Sequence, residues 1–380
     1  MNIAIVANEP SGDLLGASLI RQLKRLWPEA RFFGVAGPQM LAAGCETLVS
    51  QERLARMGLV EVVRHLPELL GIRAQLIRQL SQGNPQVFIG VDAPDFNLPL
   101  ARKLRDRGIP TVHLVSPTVW AWRAGRVKQL RRSLDLLLSI FPFEEPFLRD
   151  QGVPVRYIGH PLADEIPLHL DRAAIRRKLH LPLEDPIIAL LPGSRNTEVQ
   201  ALTQPMLETA RWCLAREPKL RFLVPLVSPS IRAQFESILQ HQGKGLPLVL
   251  LDGQSRAAIA AADAVLTASG TATLEALLLK RPMVVAYRIH PLTYWLVKTF
   301  RLVKVPHIAM ANLLVGRALA PEFLQDRCSA QEMGPPLLRF LQDREAVAEI
   351  QREYDRVHRD LRRQASHQAA LAISELLERT

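Results

Sequence analysis

Short apolar runs alternate along this chain with longer stretches in which apolar residues recur every three or four positions. The short runs have strand length and are rich in β-branched residues, whereas the longer stretches have the period of an amphipathic helix. Continuous apolar strands separated by helices are typical of parallel sheets covered on both faces, so the pattern predicts an α/β protein. The predicted strands are 3–7, 31–35, 87–92, 111–116, 134–141, 155–159, 187–191, 221–227, 247–251, 264–268 and 282–287.

The series of strands occurs twice and is interrupted at about residues 161–186, where prolines bracket a charged run. Each series predicts a Rossmann-like, doubly wound domain, one over 1–165 and a second over 166–342. Residues 343–380 contain no Pro or Gly and predict C-terminal helices, which either pack back on the first domain or are exchanged with a partner chain. Two such sheets facing each other would bind ligands at the carboxyl ends of their strands.

The charge of the chain narrows the class of ligand. Its 380 residues include 48 Lys and Arg against 37 Asp and Glu, a formal net charge of +11, with 48% hydrophobic residues. This composition excludes a disordered chain and favours a polyanionic partner: nucleic acid, an anionic membrane surface or a phosphorylated small molecule. The stretch 102–132 alone carries nine Lys or Arg against one acid.

Cysteine and histidine positions give no sign of a metal site or a disulfide scaffold. The three cysteines are far apart and form no CxxC pair, and neither His113 nor His160 has a histidine two or four residues away. We therefore expect no metal and no other cofactor. We see no signal peptide and no apolar stretch near the roughly 18 residues of a membrane-spanning helix, so we expect a cytoplasmic protein, soluble or peripherally bound to a membrane.

Carboxylates follow two of the predicted strands in the first half. Glu9 comes directly after the first strand, and Asp92 ends the strand at 87–92. A carboxylate where a buried strand opens into a loop suits a general base, although a solvated loop charge or a helix cap would explain it too. Asp95 fits a helix cap better.

Two other segments of the first half could contact the acceptor or its sugar. At a helix start these are Ser11, Gly12 and Asp13, of which Ser11 or Asp13 could instead be a cap. After the strand 111–116 they are Trp120 and Trp122, whose rings could stack on a sugar or pack in the core.

Two segments of the second half predict a diphosphate site. One is a Gly-Ser-Arg turn before a helix, which exposes backbone N–H groups and adds a cation, without the spacing of a Walker A motif. The other, 269–275, combines small residues with hydroxyls and ends in Glu275, which suits either the helix dipole or the two hydroxyls of a ribose. The candidate contacts are Gly193, Ser194, Arg195, Ser269, Gly270, Thr271, Ala272, Thr273 and Glu275.

Six segments, in this order and spacing, resemble the lipid-A-disaccharide synthase family. They are 8–13, 92–96, 120–122, 191–195, 269–275 and 312–314, and the resemblance extends over nearly the whole chain. Asn8 stands where the family usually has Gly, a mild departure because Asn also tolerates left-handed backbone. Residues 290–307 match only loosely.

The resemblance implies an inverting glycosyltransferase of the GT-B fold, with two Rossmann-like domains facing each other across a cleft. The family joins UDP-2,3-diacylglucosamine to 2,3-diacylglucosamine 1-phosphate and releases UDP and a β-1,6-linked lipid A disaccharide 1-phosphate. The family pattern implies that Asp92 is the general base for the acceptor 6-hydroxyl, with Glu9 as its rival. Arg195 and Asn312 match residues needed for activity, and 269–275 match the UDP site. GT-B enzymes usually work without a metal.

The acylated substrates imply a surface that contacts lipid. Residues 59–70 place apolar side chains at helical spacing, which by itself indicates a core-facing helix, but in the family this stretch looks like a membrane-insertion patch. The basic stretch 102–132 would add attraction to an anionic inner-membrane surface. The predicted membrane patch consists of Val60, Val62, Val63, Leu66, Leu69 and Leu70, and 292–305 is a weaker second candidate.

Two other functions fit parts of the pattern. A UDP-N-acetylglucosamine 2-epimerase shares the two-domain design but needs no lipid patch. A basic nucleic-acid-binding protein would explain the charge, but the sequence contains no module such as RNP1. We therefore expect two acylated sugar substrates, a membrane surface and a homodimer formed through the C-terminal segment as partners, and no nucleic acid.

Overall fold

The computed structural model of the protein describes residues 1–51, 62–119, 125–243, 245–289 and 307–379, with the side chains of the helix Val62–Gln82 described from residue 70 onward. The chain divides into two compact units. The first comprises Met1–Asp164 together with Leu361–Thr380, and the second comprises Glu165–Asp360. Each unit is built on one sheet of parallel strands.

The sheet of the first unit has seven strands, whose bounds are β1 (Asn2–Ala7), β2 (Arg31–Ala36), β3 (Cys45–Ser50), β4 (Val87–Val91), β5 (Thr111–Leu114), β6 (Leu136–Ser139) and β7 (Val155–Tyr157). Their order across the sheet is β3-β2-β1-β4-β5-β6-β7. The apolar pattern did not predict β3, because this edge strand keeps Glu46 and Thr47 in solvent. The helices that accompany this sheet are α1 (Pro10–Leu26), α2 (Pro38–Ala42), α3 (Val62–Gln82), α4 (Pro94–Arg105), α5 (Arg126–Ser133), α6 (Glu144–Arg149) and α7 (Pro161–Glu165).

The central strand β1 shows why the strands read as continuous apolar runs. Ile3 and Ile5 belong to the core on one face of the sheet, which includes the apolar side chains of α1. Ala4 and Val6 belong to the core on the other face, which includes those of α3 and α4. Successive side chains of a strand point to opposite faces, so a strand with helices on both faces buries every residue.

The second unit contains six strands, which are β8 (Ile187–Leu191), β9 (Arg221–Leu226), β10 (Leu248–Asp252), β11 (Ala264–Ala268), β12 (Met283–Tyr287) and β13 (Glu322–Leu324). Their order is β10-β9-β8-β11-β12-β13. The remaining helices are α8 (Arg172–Lys178), α9 (Asn196–Leu214), α10 (Pro229–Gln242), α11 (Ser255–Ala261), α12 (Thr271–Leu278), α13 (Met310–Val315), α14 (Ala330–Gln342), α15 (Arg344–Leu361) and α16 (Ala365–Glu378), with a short 3-10 helix at Gln325–Arg327. The predicted class, α/β with two doubly wound parallel sheets, is confirmed.

The C-terminal segment is divided between the units, which differs from the single block predicted for 343–380. Up to residue 360, α15 belongs to the second unit, whereas α16 belongs to the first and packs in the same core as α1. Gln364, between the two helices, has a left-handed φ of 57°. The carboxylate of Asp164 accepts the N–H groups of Gln364 (2.9 Å) and Ala365 (2.6 Å) at the start of α16. Because of the break at Gln364 and the cap by Asp164, the C-terminal segment contributes α15 to the second unit and α16 to the first.

Among the residues that the structure describes, no helix is both long enough and apolar enough to cross a membrane.

Candidate active site

The carboxyl ends of β1 and β4 lie side by side in the sheet of the first unit. Ala7 and Val91, the last residues of these strands, are partners in the parallel register. Asp92 directly follows β4, and Glu9 comes two residues after the end of β1. The two carboxylates predicted as candidates for the general base therefore follow neighbouring strands at the same edge of the sheet. This edge is where open α/β sheets bind their ligands.

The backbone at Asp92 is held in an uncommon conformation. Asp92 and Ala93 both have left-handed φ angles, 51° and 41°, at a cost of about 1–3 kcal/mol each for non-glycine residues. The buried amide Nδ2 of Asn97 donates to the carbonyl oxygens of Asp92 (2.8 Å) and Val91 (3.2 Å). The turn that carries the Asp92 carboxylate is therefore stabilised from the first turns of α4. The sequence did not single out Asn97, because an Asn in an amphipathic helix carries no pattern of its own.

The Asp92 carboxyl is partly buried at this turn. Burial raises its pKa above the ordinary aspartate value, and a hydrogen bond from the backbone N–H of Ala93 offsets part of that increase. A carboxylate with a raised pKa accepts a proton more readily, which is the property that a general base needs.

The loop that carries Glu9 is supported by Gln51, which sequence reasoning missed. The Gln51 side-chain amide donates to the carbonyl oxygens of Ala7 (3.1 Å) and Glu9 (3.0 Å). Gln51 follows β3, the strand that was not predicted, so nothing in the sequence placed it beside the end of β1. The Glu9 side chain makes no hydrogen bond that caps α1, and Glu9 is exposed.

Asp13 does not fit its predicted place in the acceptor pocket. Its side chain is buried, and its carboxylate accepts three backbone N–H groups around the start of α2 at 2.9–3.0 Å. These bonds engage both carboxylate oxygens in holding α2, so Asp13 has a structural role. Ser11 is exposed in the first turn of α1. Gly12 is buried there, where a Cβ would lie 3.4 Å from the carbonyl oxygen of Val91.

Several predicted residues lie outside the described part of the chain. These are Trp120, Trp122, Val60 and the side chains of Val62, Val63, Leu66 and Leu69. The predicted stretch 292–305 lies outside it too. Leu70 is described, and half of its surface is exposed (50%).

In the second unit, a cavity of about 340 Å³ lies at the carboxyl ends of β8, β9 and β11. Both predicted loops line it, through Gly193, Ser194, Arg195, Ser269, Gly270, Thr271, Ala272 and Glu275. Lining residues that the sequence analysis did not single out include Glu198, Val227, Gln254, Ser255 and Thr267. The cavity thus joins loops that are far apart in the chain, because parallel strands bring their carboxyl ends to one edge.

The loop after β8 is organised by Glu198. Its Oε2 accepts the backbone N–H of Ser194 (3.0 Å), and its Oε1 accepts the guanidinium of Arg195 (3.0 Å). A Cβ at Gly193, where φ is 119°, would lie 2.5 Å from Glu198 Oε2, so this position requires glycine. The Arg195 side chain is 79% exposed, which leaves most of its donors available to a ligand.

Glu275 is held at the wall of the cavity by neighbouring side chains of α11. Arg256 Nε donates to Oε1 at 3.0 Å, and Ser255 Oγ donates to Oε2 at 3.4 Å. Arg256 also pairs with Glu165 at 3.0 Å. A carboxylate oriented in this way retains free lone pairs for a pair of hydroxyl groups.

Thr273 and Asn312 were predicted as nucleotide contacts, but their side chains bond to the protein. Thr273 Oγ1 donates to the carbonyl of Gly270 (2.8 Å) and accepts the N–H of Met310 (3.2 Å). Asn312 is fully buried, and its amide makes four hydrogen bonds of 2.7–2.9 Å to residues 319–322. Neither residue lines the cavity. Both support it, because Thr273 joins α12 to α13 and Asn312 joins α13 to β13.

Within the described ranges, no group of three or more His, Cys, Asp or Glu side chains is placed to hold a metal ion. Burial lowers the pKa of His113 to about 3 and that of His160 to about 4, so both rings stay neutral at ordinary pH.

Comparison with known proteins identifies the family. The sequence model of the family described as lipid-A-disaccharide synthetase matches residues 3–376. The lipid-A-disaccharide synthase of Pseudomonas syringae pv. syringae is 53% identical over 379 residues, which cover 100% of this chain and 98% of that protein. The one of Pseudomonas aeruginosa (strain UCBPP-PA14) is 51% identical over 379 residues, with 100% and 99% coverage.

Solved structures show the same fold at low sequence identity. UDP-GlcNAc 2-epimerase from Neisseria meningitidis aligns over 100% of both chains with a TM-score of 0.65 and 12% identity. The calicheamicin glycosyltransferase CalG4 aligns over 100% of this chain and 98% of its own, with a TM-score of 0.61 and 16% identity. The epimerase therefore shares the architecture, while the sequence relatives decide between the two enzyme classes. This chain belongs to the lipid-A-disaccharide synthase family and is a glycosyltransferase of lipid A biosynthesis.

Proposed function

We propose that the enzyme transfers the sugar of UDP-2,3-diacylglucosamine to the 6-hydroxyl of 2,3-diacylglucosamine 1-phosphate. The products are UDP and a β-1,6-linked disaccharide 1-phosphate, with inversion at the anomeric carbon. Membership of the family over residues 3–376 carries this proposal. The cavity of the second unit, with phosphate-type loops and a ribose-type carboxylate, supports a sugar nucleotide as donor.

In the proposed mechanism the second unit binds UDP. The diphosphate is held by the guanidinium of Arg195 and by backbone N–H groups at the start of α12, where the helix dipole favours an anion. Glu275 accepts the two ribose hydroxyls. These groups offset the charge that develops on the departing diphosphate, and we propose that they do so without a metal ion.

The first unit supplies the base. The Asp92 carboxylate takes the proton of the acceptor 6-hydroxyl as that oxygen attacks the anomeric carbon of the donor. The bond from this carbon to the diphosphate oxygen breaks, and UDP leaves with the electron pair. Attack opposite the leaving group inverts the configuration. The raised pKa of Asp92 and its fixed backbone support this assignment. Glu9, the rival, is exposed.

Asp92→Asn and Glu9→Gln, assayed with both acylated substrates, test the assignment. Loss of a general base lowers kcat by about 10²- to 10⁴-fold, which we expect for Asp92→Asn with little change in the donor KM. Asp106→Asn is the matched control, because it removes an exposed carboxylate just after α4. Full activity in Asp92→Asn together with a large loss in Glu9→Gln would transfer the role to Glu9.

We also propose that the protein binds peripherally to the inner membrane from the cytoplasm, through the first unit. A groove of about 500 Å³ between α4 and α5 supports this proposal. Four cations line it, Arg102, Lys103, Lys128 and Arg132, and we call it the basic groove. Within the described chain only Arg102 of these four has a carboxylate partner, Asp106 at 3.1 Å. Leu70 adds an exposed apolar side chain on α3.

A homodimer formed through the C-terminal segment is part of the same proposal. Its support is that α16 docks as a separate helix after the break at Gln364, so a second copy could supply the same helix. Sedimentation equilibrium tests this, and the mass of a single chain at micromolar concentration would contradict it.

A further inference from the structure

Arg73 on α3 is a half-buried cation beside the turn that carries Asp92. Its Nη2 donates to the carbonyl oxygen of Asp95 at 3.2 Å, and its guanidinium lies over the ring of Phe96, 5.3 Å from the centroid. Its Nε is buried and has no hydrogen-bond partner within the described chain. Most of the donors of this guanidinium are therefore not used by the residues that the structure describes.

No carboxylate of the described residues forms an ion pair with Arg73, although Asp95 is close by. The Asp95 carboxylate binds Arg126, and the hydrogen bond from Arg73 goes to the Asp95 backbone carbonyl. Burial lowers the pKa of Arg73, and no acidic group in the described ranges counteracts this effect. A cation that loses water without gaining a counter-ion is costly to the fold, and an anionic ligand would offset that cost.

The place of Arg73 relative to Asp92 suggests which anion it binds. Asp95 lies three residues after Asp92, in the first turn of α4, so the guanidinium and the proposed base lie beside the same turn. In the proposed acceptor, the attacking hydroxyl is on C6 and the phosphate is on C1. Because C1 and C5, which carries C6, flank the same ring oxygen, the two groups lie within the width of one sugar. We propose that Arg73 binds the 1-phosphate of the acceptor, an inference that rests on the proposed function.

Two neighbouring features fit an amphiphilic phosphate. Leu70 lies one helical turn before Arg73, so an exposed apolar side chain and a cation share one face of α3. The basic groove begins beside Arg126, the partner of Asp95, and extends the positive charge along α4 and α5. This surface places an apolar side chain close to cations. The acceptor likewise carries apolar acyl chains and an anionic phosphate on one molecule.

The test compares Arg73→Gln and Arg73→Lys with wild type on two acceptors, 2,3-diacylglucosamine with and without its 1-phosphate. A charge-assisted hydrogen bond contributes about 10- to 100-fold in binding. We expect Arg73→Gln to raise KM for the phosphorylated acceptor by that factor, with the donor KM and the kinetics of the dephosphorylated acceptor unchanged. Arg73→Lys retains the charge and should keep part of the preference for phosphate. Arg78→Gln, an exposed arginine on the same helix, is the matched control.

Each other outcome has a distinct meaning. If wild type transfers sugar to neither acceptor, the proposed function fails. Two results with an active wild type would show that the assignment of Arg73 is wrong. In one, Arg73→Gln loses the same factor of activity with both acceptors; in the other, it keeps full activity with both. If Arg73→Gln weakens binding to phosphatidylglycerol vesicles but leaves the kinetics with soluble short-chain acceptors unchanged, the anion is a membrane headgroup and the assignment to the acceptor is overturned.

Discussion

At the residue scale, Asp92 acquires its properties from neighbours that the local sequence does not reveal. Its left-handed backbone is held by Asn97, and the burial that raises its pKa comes from the surrounding sheet and helices. The motif around it placed the carboxylate at a strand end, which the structure bears out. The turn conformation and the direction of the pKa shift required the folded chain.

A raised pKa has a consequence for stability. The folded state binds the Asp92 proton more tightly than the unfolded state does, so the ionised carboxylate destabilises the fold above the raised pKa. Asp92→Asn should therefore increase the Tm at neutral pH while it removes activity. The difference should shrink as the pH falls through the raised pKa, because the wild-type carboxyl then becomes neutral.

Thermal unfolding at neutral and at acidic pH measures this difference, with Asp106→Asn as the exposed control. A lower Tm for Asp92→Asn than for wild type at neutral pH would contradict it. In the wild-type enzyme, the apparent pKa that governs the fall of kcat/KM at acidic pH should lie above the ordinary aspartate pKa of about 3.9.

At the element scale, α8 shows that a charged run can contain a buried, paired cation. In the sequence this charged run, about 171–178, lies in the proline-bracketed stretch 161–186 that separates the two series of strands. In the structure Arg176 is only 2% exposed. Its guanidinium pairs with Asp263 (2.7 Å) and donates to the carbonyls of Ala261 (2.9 Å) and Leu183 (2.6 Å). Asp263 also accepts the N–H at the start of β8, so this pair connects α8 to the sheet.

Arg176→Met should destabilise the protein by about 1–3 kcal/mol, because it leaves the buried carbonyl of Ala261 and the carbonyl of Leu183 without their donor. Asp263 loses its buried partner but still pairs with Arg172, which limits the loss. Arg177→Met is the control one residue away. The Arg177 side chain is 61% exposed and lies 3.8 Å from Asp171, and such a surface pair contributes about 0–1 kcal/mol. Urea unfolding of both variants measures the difference. Equal stability of the two variants would show that the buried pair does not hold α8.

At the scale of the whole molecule, much of the net charge of +11 comes from one stretch, because residues 102–132 carry nine Lys or Arg against one acid. The nine cations of 102–132 are partly used within the fold, since Arg105 pairs with Asp135 and Arg126 with Asp95. Lys103, Lys128 and Arg132 remain along the basic groove. The basic groove is the surface through which we propose that the protein binds an anionic membrane.

Reversing these three charges together, as Lys103→Glu, Lys128→Glu and Arg132→Glu, should weaken binding to vesicles of phosphatidylcholine and phosphatidylglycerol by at least about tenfold, since each basic residue near such a surface contributes about 1 kcal/mol. The control reverses three exposed cations of the second unit, Arg177, Lys178 and Lys219, for the same change in net charge. Vesicle sedimentation at several salt concentrations measures the effect. Equal losses in both triple variants would show that net charge acts without the groove.

The sequence by itself determined the α/β class, the repeated sheet and the strand ends that carry Glu9, Asp92, Arg195 and 269–275. These follow from periodicity and from short motifs, which are local properties of the chain. Membership of the family was also recognisable from the motifs alone.

Only the tertiary structure decided what the side chains do at those positions. The carboxylate of Asp13 holds the start of α2, which lies 24–27 residues further along the chain. The amide of Asn312 holds residues 319–322, and nothing in the local sequence predicts these bonds. Arg73 contacts the turn after β4 from a different helix, and the C-terminal helices divide between two units at one left-handed residue. Hydrogen bonding and burial depend on which segments lie next to each other in the folded chain. Local patterns in the sequence do not give this arrangement.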